Sequence, residues 1–238
     1  MATVVFILLG VLAGILTTVA GLGGGMALIL ALSLVMDPAR ALAITAPALL
    51  VGNSHRAYTF RHHVDHKLVR PILWGAIPGA LGGGLAATAL PSWVLRAVLL
   101  VVMTLAVLRA QGRLSFKPPR AALFPAGFGI GWLTAVGGGA GVLVGPVLLG
   151  LGLSGDAYIA TSAVVGVTIH GTRMVAYGVG GLFEADVLQQ ALLLAVAIMA
   201  GNLLGNVVRR RMDAAQATRV ELGVMVVSVL LAVAGVTR

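Results

Sequence analysis

Gly14-Ile-Leu-Thr-Thr-Val-Ala-Gly21 reappears 117 residues later as Gly131-Trp-Leu-Thr-Ala-Val-Gly-Gly138. The same offset pairs Gly24 with Gly141, Thr45 with Ser162, Ala46 with Ala163, Arg56 with Arg173 and Phe60 with Tyr177. Glycine matches alone carry little weight in a chain holding 33 of them. A matched arginine inside apolar surroundings carries more. The chain therefore reads as two halves of one design: a first transmembrane repeat over residues 1–110, a linker over 111–120, and a second repeat over 121–238. The linker is polar and contains Pro118-Pro119.

Each copy of the repeated segment lies in an apolar stretch too long for one crossing. Val4–Met36 and Ala121–Leu153 both exceed the roughly 20 residues that a bilayer requires. Gly21, Gly23, Gly24 and Gly25 interrupt the first, and Gly137, Gly138, Gly139 and Gly141 the second. Successive glycines cost a helix about 1 kcal/mol each relative to alanine, so each stretch is expected to be two half-helices meeting at a break. Full spans are expected near Ala41–Phe60, Leu68–Leu90, Val94–Leu108, Ala157–Gly178, Val187–Val207 and Ala217–Val236.

Composition supports this reading. Of the 238 residues, 59% are hydrophobic and 10% charged, whereas soluble domains are about 45–50% apolar and about 25% charged. Disordered chains are poor in apolar residues, and a transmembrane barrel would show alternating segments instead of long apolar runs. An all-α polytopic membrane bundle remains. The absence of cysteine excludes disulfides and thiolate chemistry. The formal charge of +9 sits in short connections and forms no continuous face, so no nucleic-acid partner is expected. Met1-Ala2-Thr3 leads straight into apolar sequence without a basic region, so this end is expected to stay in the mature protein.

Loop charge orients the spans. Short cytoplasmic connections are rich in Lys and Arg, which places Arg61–Arg70, Arg109–Arg120 and Arg209–Arg211 inside. Gly178–Asp186, with Glu184 and Asp186 and no base, is placed outside. The basic loop of the first half thus corresponds to the acidic loop of the second. The expected fold is two inverted repeats, each a glycine-broken helical hairpin plus about three full spans. This requires each broken stretch to make no net crossing.

Inverted repeats with discontinuous helices are the plan of secondary transporters, and non-helical backbone at membrane depth is tolerated only in a protein-lined or watery interior. Half-helices beginning near Gly24 and Gly141 would present unpaired N–H groups and positive dipole ends, which favour an anion. No Asp or Glu lies well inside a span, as a cation site would need. The candidate substrate site is Thr17, Gly23, Gly24, Gly25, Thr45 and Asn53 with Thr134, Gly138, Gly139, Gly141, Thr161 and Ser162. Arg56 and Arg173 are candidates for gating or anion attraction at opposite mouths, and His170 for proton coupling.

Each feature has a plainer reading. Glycines also allow close helix packing. Arginines about a turn from a span end snorkel to the interface, and a buried histidine can be satisfied by a carbonyl. His62, His63 and His66 fit a solvated loop better than a metal site, so no metal and no cofactor are expected. The tryptophans and tyrosines suit an interfacial belt. Gly52-Asn-Ser-His55 sets a serine beside a histidine, but helical neighbours point about 100° apart, and no hydrolase or metalloprotease motif is present. The chain is therefore not expected to be an enzyme. A passive anion channel, or an importer of a different small solute, stays open.

The breaks Ala20-Gly-Leu-Gly-Gly-Gly25 and Val136-Gly-Gly-Gly-Ala-Gly141, with Ala43-Ile-Thr-Ala46 and Ala160-Thr-Ser-Ala163 opening the next spans, resemble the sulfite exporter TauE/SafE family over nearly the whole chain. The first half departs in having Ile44 where the second has Thr161. The resemblance implies a multi-pass protein of the bacterial inner membrane. It also implies export of sulfite or an organosulfonate such as sulfoacetate, coupled to the proton-motive force. The expected partners are that small anion and the lipid bilayer, with a homodimer as the open question of assembly.

Overall fold

The computed structural model describes residues 2–20, 24–111, 113, 118–209, 211–212, 216, 219–220 and 223. Among these the regular structure is entirely helical. The first half holds α1 (Ala2–Ala20), α2 (Gly24–Ser33), α3 (Pro38–Thr59), α4 (His66–Ala89) and α5 (Ser92–Ala110). The second holds α6 (Leu123–Gly137), α7 (Ala140–Gly150), α8 (Gly155–Val179) and α9 (Ala185–Arg209). Both long stretches are broken, as expected: α1 is separate from α2, and α6 from α7. The span expected at Ala217–Val236 lies outside the described residues, as do Gly21 and Gly23.

Local chemistry sets the helix starts. Asp37 caps α3 by accepting from the Ala39 N–H at 2.9 Å, and Pro38 follows where no backbone donor is needed. Asp65 caps α4, accepting from Lys67 and Leu68 N–H groups at 3.0 Å each. At the second break Gly138 and Gly139 take φ of +71° and +77°, a region that side chains with a Cβ rarely enter.

Glycines bring the helices into contact. A Cβ on Gly75, Gly79 or Gly83 of α4 would strike the carbonyl of Phe124, Phe128 or Trp132 on α6. Gly201 and Gly205 of α9 stand likewise on Val11 and Ile15 of α1. Val11 and Phe128 are equivalent at the offset of 117, and so are Ile15 and Trp132, whereas Gly79 and Gly201 differ by 122. The five extra residues fall between the end of α8 and the middle of α9. With that step allowed, exchanging the halves carries the α1/α9 pair onto α6/α4, α3/α9 onto α8/α4, and α3/α8 onto itself.

Helix directions follow from individual contacts. Asn53 of α3 packs on Gly166 of α8. The chain just past α3 reaches the α8 start, where the Asp65 N–H donates to Thr161 Oγ1 at 3.1 Å. At the other end Arg40, near the α3 start, pairs with Asp186, just past α8. The two helices are therefore antiparallel. α1 and α3 both run parallel to α9, while α6 runs parallel to α4, and α4 to α8. Each broken pair thus returns the chain to the end from which it set out.

Three described helices are long and apolar enough to cross a membrane: His66–Ala89, Gly155–Val179 and Ala185–Gly205. α3 has the length but carries Arg40, Asn53, His55 and Arg56. Large apolar side chains such as Trp74, Leu85, Leu192 and Val196 face outward. In water such a surface would be unstable; against lipid it is the expected exterior. The protein is membrane-embedded.

Candidate functional site

The half-helices α2 and α7 start at the centre of the bundle and touch there: Gly138 packs against Ile29, and Gly139 against Met26. A cavity opens beside this junction. It is lined from the first half by Thr17, Gly25, Met26, Leu49, Asn53 and Arg56, and from the second by Gly139, Ala140, Gly141, Ser162, Gly166 and His170. Its volume is about 40 Å³, room for about three waters at roughly 10–15 Å³ each. That is the scale of a small oxyanion.

The lining chemistry is one-sided in charge. The first turns of α2 and α7 both contribute, and helix N-termini carry unpaired amides and a partial positive charge. Arg56 adds a full one, and no lining residue is acidic. The acids among the described residues, Asp37, Asp65, Asp156, Glu184 and Asp186, all sit at helix ends. Arg56 Nη2 donates to Asn53 Oδ1 at 2.9 Å, and Asn53 Nδ2 donates to the Leu49 carbonyl at 2.8 Å. Thr17 donates to the Ala13 carbonyl at 2.7 Å, and Ser162 to that of Ile159 at 3.1 Å. These hydroxyls are held by their own helices, whereas the helix-end amides and the Arg56 guanidinium are the cationic and donor groups that border the cavity. His170 is 2% exposed, and its Nδ1 has no hydrogen-bond partner.

Eight of the residues expected at the site line the cavity: Thr17, Gly25, Asn53, Arg56, Gly139, Gly141, Ser162 and His170. The structure brings the others elsewhere, except Gly23, which lies outside the described residues. Gly24 packs on α1, where a Cβ would meet the Ala13 carbonyl and Thr17. Thr45 is fully buried and donates to the Ala41 carbonyl at 2.8 Å. Thr161 accepts from the Asp65 N–H. Gly138 sets the turn against Ile29.

Arg173 also lies outside the cavity. It is 0% exposed and does not snorkel. Its Nη1 donates to the Thr134 carbonyl at 3.3 Å, and its guanidinium stands 5.8 Å from the Tyr177 ring centroid. Its Nε and Nη2, and the Thr134 hydroxyl, have no hydrogen-bond partner.

Met26, Leu49, Ala140 and Gly166 line the cavity without polarity to announce them. Spacing was the available signal for two of them. Leu49, Asn53 and Arg56 recur at four and three residues, and Ser162, Gly166 and His170 at four and four, so each set shares one helix face.

A family model described as "Sulfite exporter TauE/SafE" matches residues 6–234. No curated protein and no solved structure is matched by the chain.

Proposed function

The chain belongs to the sulfite exporter TauE/SafE family, a family of membrane transporters, and on that premise we propose that it exports a small anion by alternating access coupled to the proton-motive force. The substrate class is sulfite or an organosulfonate such as sulfoacetate, and the cavity volume favours the smaller end of that class. The setting is the bacterial inner membrane, with the two repeats inverted across it. The antiparallel crossing of α3 and α8 supports that inversion: a two-fold axis relating antiparallel spans lies in the membrane plane.

The observation that carries the proposal is the junction itself. Two half-helix N-termini, one from each repeat, meet beside Arg56 in a cavity without an acid. An anion placed there meets positive potential from both halves and does not encounter a repelling carboxylate. His170, lining the same cavity with an unpartnered ring nitrogen, is the proposed coupling group.

Purified protein in proteoliposomes tests this with a panel of sulfite, sulfoacetate, sulfate and chloride, each measured with and without a pH gradient. Sulfite or sulfoacetate flux that accelerates with the gradient is the expected result. Flux indifferent to the gradient would make the protein a passive channel, and no anion flux would remove the proposal.

A further inference from the structure

Three pairs of equivalent residues with polar side chains sit in opposite situations. Thr17, Arg56 and Ser162 line the cavity, while their counterparts Thr134, Arg173 and Thr45 are fully buried outside it. Two other pairs, Leu49 with Gly166 and Asn53 with His170, line the cavity with both members. The shared pairs mark the centre, where α3 crosses α8. The split pairs lie to either side of that crossing, because antiparallel helices carry equivalent residues toward opposite ends.

The sealed set contains polar atoms that a permanently closed core would not keep. Arg173 Nε and Nη2 and Thr134 Oγ1 are buried without a hydrogen-bond partner, and among the described residues no acid pairs with Arg173. An arginine stays charged in any protein environment, and a buried charge without a counter-ion is unfavourable even where a carbonyl and an aromatic ring face it, as Thr134 and Tyr177 do here. Nε and Nη2 are neighbours on one edge of the guanidinium, the edge that grips an oxyanion through two parallel N–H bonds. That edge, buried beside the Thr134 carbonyl and without a hydrogen-bond partner of its own, is the geometry that two oxygens of a small oxyanion fit.

We propose that Thr45, Thr134 and Arg173 form the second mouth of the pathway, closed in this structure, where the Nε/Nη2 edge of Arg173 binds a small oxyanion on its way across. This rests on the alternating-access reading above. In the state that opens this mouth, Arg173 parts from the Thr134 carbonyl and the Tyr177 ring, and the Thr17, Arg56 and Ser162 side closes.

The chain has no cysteine, so single replacements report cleanly. Thr45→Cys, Thr134→Cys and Ser162→Cys are each placed in oriented vesicles and exposed to a membrane-impermeant anionic methanethiosulfonate added to one face at a time. Modification is read by mass, so a slowed variant still reports. The expected result is Ser162→Cys modified from one face and both threonine replacements from the other, with sulfite slowing modification of all three. Threonine replacements that stay unmodified, or react from the same face as Ser162→Cys, overturn the second mouth. Sulfite flux by the unsubstituted protein is measured in the same vesicles. Opposite-face modification without sulfite flux would keep the second mouth and reject the anion assignment, so the two failures are distinguishable.

Discussion

Arg56 and Arg173 occupy the same place in the two repeats, yet Arg56 borders the central cavity and Arg173 is sealed behind it against the Thr134 carbonyl. One repeat therefore keeps an arginine buried with no acidic partner among the described residues. Arg173→Met preserves length and apolar volume and removes the charge. Replacing buried ionic groups by apolar ones of similar size is neutral or stabilising by about 1–4 kcal/mol, so the variant is expected to melt at the same temperature or higher in detergent. Anion flux should fall by roughly 10- to 100-fold, the worth of a charged hydrogen bond at about 1.5–3 kcal/mol. A lower melting temperature with normal flux would make Arg173 structural.

The glycines divide by what surrounds them. Gly139→Ala must hold a Cβ at φ +77° and 2.8 Å from Met26 Sδ, a loss of about 1–3 kcal/mol from backbone strain before Met26 moves. Gly24→Ala would press into the Ala13 carbonyl and the Thr17 backbone, overpacking that costs about 1–3 kcal/mol. Gly171→Ala, inside α8 with nothing within 4 Å, should instead raise stability by about 0.5–1 kcal/mol. Thermal melts of the three variants in one detergent check the order.

The helical breaks were legible because successive glycines oppose a helix wherever they occur, and the duplicated Arg56 and Arg173 exposed the repeat. Thr45, Thr134 and Thr161 fell at the right positions of that repeat but not in the cavity. Equivalence in sequence says nothing about which member faces an opening in a given state. The step from an offset of 117 to 122 was likewise hidden: Gly79 and Gly201 become equivalent only through the backbones they touch, Phe128 and Val11. Arg173 read equally as an arginine at a mouth of the pathway or as one snorkelling to the interface, because position in a span does not reveal what neighbouring helices cover.

His170 faces the cavity with Nδ1 unpartnered, and its counterpart Asn53 cannot titrate. If coupling passes through the imidazole, His170→Gln retains a hydrogen-bonding side chain of similar reach but loses the proton. Downhill sulfite flux should then persist while its acceleration by a pH gradient disappears. Retention of the full gradient response would assign coupling elsewhere.

The turn after α3 and the turn after α8 leave the bundle at opposite ends, since Arg40 meets Asp186 at one end and Asp65 meets Thr161 at the other. His63 and Gly181 are both exposed in those turns. His63→Cys should react with an impermeant thiol reagent only from the cytoplasmic face, where Arg61, Lys67 and Arg70 hold the loop by the positive-inside rule. Gly181 has φ of +77°, so the exposed Glu184 of the same turn is the better position, and Glu184→Cys should react only from the outer face. Reaction of both from one face would mean that the bundle does not stand across the bilayer along α3 and α8, and the inverted arrangement would fail with it.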